Sequence, residues 1–110
     1  MTMSAEQLYD EFRRAEVFLE AGRPTEAARI LDPVVEAAPD STAALELQAR
    51  ALFASAQLTR AEAALRVLTD RCPDDAWAQA ALARTLERQS RPGEAAPHRR
   101  LAEALGQAVA

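Results

Sequence analysis

The stretch Pro39–Asp75, PDSTAALELQARALFASAQLTRAEAALRVLTDRCPDD, opens and closes on the same signal, a proline followed by an aspartate, 34 residues apart. Between those marks Ala49 and Leu52, then Ala61, Leu65 and Leu68, recur three or four residues apart, as one apolar face of a helix requires. Ser41 stands ahead of the first run as an N-cap, and Thr59 with Glu62 has the form of a capping box for the second. Pro39 and Pro73 cannot continue the helices that precede them. The stretch predicts two helices, from Ser41 to about Ala56 and from Thr59 to about Cys72, joined by a short turn.

The same spacing runs outward in both directions. Ala15, Ala49 and Ala83 share it, as do Phe18, Leu52 and Leu86, and Ala27, Ala61 and Ala95; Leu31 pairs with Leu65, Val34 with Leu68, and Pro24 with Pro92. So many columns at one period are hard to produce by chance, even in a chain with 27 alanines. A fixed period of this size marks a repeat architecture in which each unit is one supersecondary element. Ser4 with Gln7 caps a first helix to about Ala21, Thr25 a second to about Ala38, and Asp75 a fifth to about Ser90. A sixth begins near Gly93, with Pro97 removing one early backbone bond. Six helices and no strands are expected; three glycines in 110 residues are too few for the turns of a strand-rich fold.

The columns resemble the tetratricopeptide repeat: small residues at Ala15, Ala49 and Ala83, large apolar ones at Phe18, Leu52 and Leu86, then alanine, apolar residues and proline in order. The third repeat departs by carrying Arg99 in an apolar column, and the family's tryptophan is replaced by Glu11, Leu45 and Gln79. The resemblance implies an all-α fold, a right-handed α-solenoid of three helix-turn-helix repeats. It further implies a single domain over residues 1–110, with repeats at about 8–41, 42–75 and 76–109. Small residues let the helices of a hairpin approach closely, and the large ones fill the space between hairpins, which an isolated repeat could not bury. Phe18 is expected in that core.

Composition excludes several function classes. Net charge is −4 and the thirteen basic residues, all arginine, are scattered, so the positive footprint of a nucleic-acid binder is missing. No apolar run is long enough to cross a bilayer. The start MTMSAEQLYDEF lacks the regions of a signal peptide, so a cytoplasmic location is expected. One cysteine, Cys72, rules out an internal disulfide and reads as a half-buried packing thiol. His98 is the only histidine, reads as a solvated surface residue, and cannot build a triad or a histidine metal site alone. The acids fall at helix-surface spacings, Asp10 with Arg14, Glu46 with Arg50 and Glu62 with Arg66. The three glycines are isolated, so no phosphate loop occurs. No enzyme activity, metal or cofactor is expected.

The resemblance also implies where a ligand lies: the first helix of each repeat lines a concave groove. Tyr9, Phe12, Glu16, Glu46, Arg50, Phe53, Trp77, Arg84 and Arg88 fall at such positions, and with them four of the five aromatic residues. Rings left on an exposed face are a binding signal, although Trp77 reads equally well as packing against a neighbouring helix. The groove charges run from acidic, Glu16, to basic, Arg84 and Arg88. That order fits a protein or peptide partner with an acidic group, unless Glu16–Arg50 and Glu46–Arg84 pair internally. Some family members clamp acidic chaperone tails with basic residues; of the corresponding places, Phe12, Glu16, Ala80 and Arg84, only Arg84 is basic. The expected function is a non-catalytic protein-interaction module. The alternatives are a self-assembling scaffold, a homodimer through Leu101 and Leu105 on the last helix, and an accessory domain of an enzyme complex.

Overall fold

In a computed structural model that describes residues 2–109, the chain is all-helical: six helices and, among the described residues, no strand. They are α1 (Ala5–Glu20), α2 (Pro24–Ala37), α3 (Thr42–Ala54), α4 (Leu58–Arg71), α5 (Ala76–Arg88) and α6 (Pro92–Ala104). The chain divides into two compact units, Met1–Ala56 with α1 to α3 and Gln57–Ala110 with α4 to α6.

In the first unit α2 packs against both α1 and α3. Ser4 Oγ accepts the Gln7 N–H at 3.1 Å while Gln7 Oε1 accepts the Ser4 N–H at 2.8 Å, the reciprocal pair that starts α1. Ser41 caps α3 by accepting the Ala44 N–H at 3.2 Å. Ala15, Ala27, Leu31, Val34, Ala49 and Leu52 are buried, as their columns require. Phe18 differs. Its ring is half-buried with the Arg14 and Arg23 guanidinium carbons 5.6 and 5.0 Å from its centroid, so two cations cover what a second apolar layer was expected to cover.

In the second unit α5 packs against both α4 and α6. Asp75 caps α5 through the Ala78 N–H at 3.0 Å. Ala61, Leu65, Leu68, Ala83, Leu86 and Ala95 are all buried. The unexpected Arg99 joins no apolar layer. Its guanidinium reaches Glu87 on α5 through contacts of 2.7 and 2.8 Å and donates to the Val109 carbonyl at 2.7 Å.

The starts of α2, α4 and α6 correct the sequence reading. Thr25 and the Thr59–Glu62 pair are not caps: the N-caps are Arg23, Gln57 and Arg91, none with a side-chain cap bond. These helices begin directly from the preceding turn, and Pro24 and Pro92 fit the first helical position because its N–H has no helix partner anyway. The turns are closed by a left-handed residue at a constant place, Gly22 (φ 76°), Ala56 (φ 57°) and Ser90 (φ 61°). After α1 the Arg23 N–H returns to the Phe18 carbonyl at 2.9 Å, and after α5 Arg91 repeats the bond to Leu86 at 2.9 Å, the bonds that finish a helix on a left-handed residue. α6 continues through Pro97 to Ala104 and ends there, so Leu105 is its C-cap and Val109 lies beyond it. The expected leucine stripe on the last helix therefore retains only Leu101 within the helix.

Candidate functional site

Helical geometry puts Leu8, Tyr9, Phe12, Arg13 and Glu16 on one side of α1. They form one wall of a depression of about 450 Å3, closed by Val34 of α2 and its C-cap Ala38 with Ser41, Ala43 and Ala44 from the start of α3. A second depression of about 330 Å3 shares Phe12, Glu16 and Ala43 with the first and adds Glu46, Leu47 and Arg50. Together they make a trough between α1 and α3, apolar where Leu8, Phe12, Val34 and Ala44 meet and polar towards Glu16, Glu46 and Arg50. Tyr9 is 65% exposed at its edge.

The trough's charges are partly neutralised within each wall. Glu16 takes a 2.8 Å contact from Arg13, and Glu46 holds Arg50 at 3.1 Å along α3. Of the expected surface pairs, Glu46–Arg50 and Glu62–Arg66 form, whereas Arg14 turns to Glu11 rather than Asp10. Beyond the pairs, Glu6 and Glu20 are exposed on α1 and Asp40 is exposed beside Ser41, and among the described residues of the first unit none of the three joins a base.

In the second unit the sequence-predicted residues lie on α5. Trp77, Arg84 and Arg88 follow one another at seven and four residues, so they share a helix face. Trp77 and Arg84 are half-buried and Arg88 is exposed. Other guanidiniums of this unit are engaged: Arg66 and Arg91 with Glu62, and Arg99 with Glu87. Among the described residues of the unit, Arg84 and Arg88 meet no carboxylate. Phe53 is half-buried one turn after Arg50 on α3. Leu101 and Leu105 are 40% and 39% exposed.

His98 is not the solvated residue its neighbours suggested. Its Nδ1 lies 2.8 Å from Oε1 of the buried Gln79, whose amide donates to the Pro73 carbonyl at 3.0 Å. Because that amide's oxygen is the end facing the ring, Nδ1 is the donor. Burial, with Arg66 nearby, lowers the His98 pKa below its ordinary 6.5. Cys72 is half-buried at the end of α4 as expected.

Sequence reasoning found the α1 wall of the trough through Tyr9, Phe12 and Glu16 and missed Leu8, Val34, Ala38 and Ala44. Val34 had been placed by its column in the core, and nothing local shows that its outer edge also lines a depression. Among the described residues no group of three or more potential metal ligands comes together, and no helix is long and apolar enough to cross a membrane.

A tetratricopeptide repeat model matches residues 18–85, more than half of the chain. No curated protein matches it.

Proposed function

Since the chain belongs to the tetratricopeptide repeat family, whose members are typically protein-interaction modules, we propose that it is a non-catalytic module that binds a peptide or partner protein along the first-helix faces of its repeats. The carrying observation is the trough between α1 and α3, where Phe12 and Tyr9 border an apolar depression that a folded unit has no need to leave open. Arg50 and Phe53 extend that face along α3. On α5, Trp77 with Arg84 and Arg88 supports a contact with an acidic group, since planar guanidinium groups that meet no carboxylate among the described residues of their unit suit oxygen pairs.

Affinity capture of the partner followed by calorimetric titration tests the reading. Phe12→Ala is expected to weaken binding by about 1 to 3 kcal/mol, as for an interface anchor, and Arg84→Glu to weaken it further, with helical content unchanged by circular dichroism. Wild-type affinity in both variants would remove the faces from the binding site. A second reading, self-association through Leu101 and Leu105, is favoured by their exposure. Light scattering on Leu101→Glu tests it, the expected result being a lower mass than for the unsubstituted protein.

A further inference from the structure

The partner's chemistry at the first unit is legible in the charges around the trough. The first unit holds ten carboxylates against five guanidiniums, net −5, and the second seven against eight, net +1, which together give the chain's −4. Part of the excess borders the trough. Glu6 lies one turn before Tyr9 on α1, Glu20 one turn after Glu16, and Asp40 beside Ser41 of the lining, all three exposed. The end of α1 concentrates the effect: its last turn carries Glu20 and no base. Its final carbonyls add the partial negative charge of a helix C-terminus, which favours a cation. The Arg13–Glu16 pair is too exposed to discharge this end, with Arg13 60% open to solvent.

We infer that the trough takes a cationic amphipathic segment of the partner, its apolar side chains against Leu8, Phe12 and Ala44 and a basic residue at the C-terminal end of α1 beside Glu16 and Glu20. This rests on the proposed binding face and specifies what it selects. An apolar segment satisfies the depression, and basic residues flanking it meet Glu6, Glu20 and Asp40, which join no base among the described residues of the unit, and Glu16, whose pair with Arg13 is open to solvent. An acidic segment in the same place would add repulsion to both.

The test is a random 12-residue peptide phage library panned over the full chain, with enriched peptides synthesised and titrated. Peptides with two or more apolar residues and an excess of Arg or Lys over Asp and Glu are expected. Glu20→Gln should weaken them about fivefold, the scale of one helix-end charge, and added salt should weaken them as well. Ala43→Gln, which fills the trough from an exposed position on α3, should abolish binding without loss of helix, and it serves if Phe12→Ala fails to fold. Enriched peptides that need an open trough but carry no basic excess and ignore Glu20→Gln overturn the inference and leave the binding face standing. Peptides indifferent to Ala43→Gln, or no enrichment over a blank surface, overturn the binding face and the inference with it.

Discussion

Gly22, Ala56 and Ser90 occupy one place in three successive turns, each with positive φ, yet only the first is glycine. A side chain there brings Cβ against the backbone, so the alanine and the serine carry a strain that glycine avoids. Ala56→Gly is therefore expected to stabilise the protein by about 1 kcal/mol, read as a higher urea midpoint with an unchanged slope. A lower midpoint would mean that the added freedom of the unfolded chain outweighs the relieved strain. The turns near Ala56 and Ser90 were read from the helix ends, but alanine and serine do not advertise a left-handed conformation, so that conformation could be suggested by residue type only at Gly22. Phe18 shows the complementary limit: its column announced a large apolar residue, and nothing local announced that Arg14 and Arg23 would cover its ring.

At the scale of elements, the uncapped start of α6 is held from outside. Glu62 of α4 accepts from Arg66 at 2.9 Å, from Arg91 at 2.7 Å and from Gln89 at 3.0 Å, and Arg91 also clasps Glu94 at 2.7 Å. Burial pushes the Glu62 carboxyl up, but these donors outweigh it and hold its pKa at about 2 rather than 4.5. The folded state thus keeps Glu62 ionised where the unfolded chain has already taken a proton. Its contribution is complete above pH 4.5 and is lost as pH falls towards 2. Glu62→Gln should cost about 1 to 3 kcal/mol at pH 7, the range for hydrogen bonds to a charged group, and the gap to the unsubstituted protein should shrink as pH falls from 4.5 towards 2. A gap independent of pH would show that shape rather than charge matters at that position. Helix identity and the inward columns were readable because they depend on period alone. This network was readable only as Glu62–Arg66, because its other members come from another helix and a turn. Arg99 repeats the lesson: it broke an apolar column, and its partner Glu87 lies on a different helix.

The molecule as a whole joins an alanine-rich repeat to two faces with unequal charge. The first unit combines an apolar trough with surplus carboxylates, and the second carries Trp77 with two arginines on one face of α5. The α1 residues of the trough were named only through the family resemblance, and the depression itself depends on α2 and α3 converging there, which the repeat columns do not describe. The charge gradient was legible as a list of residues, and so was the Glu46–Arg50 pair; that Arg84 and Arg88 meet no acid among the described residues of their unit emerged only from the fold. The most direct measurement is amide chemical-shift mapping of the captured partner on the isotopically labelled chain. The account predicts perturbations concentrated at Tyr9, Phe12, Ala43 and Glu46 and along α5 at Trp77, Arg84 and Arg88. Perturbations confined to α2, α4 and α6, with those residues unmoved at saturation, would contradict it.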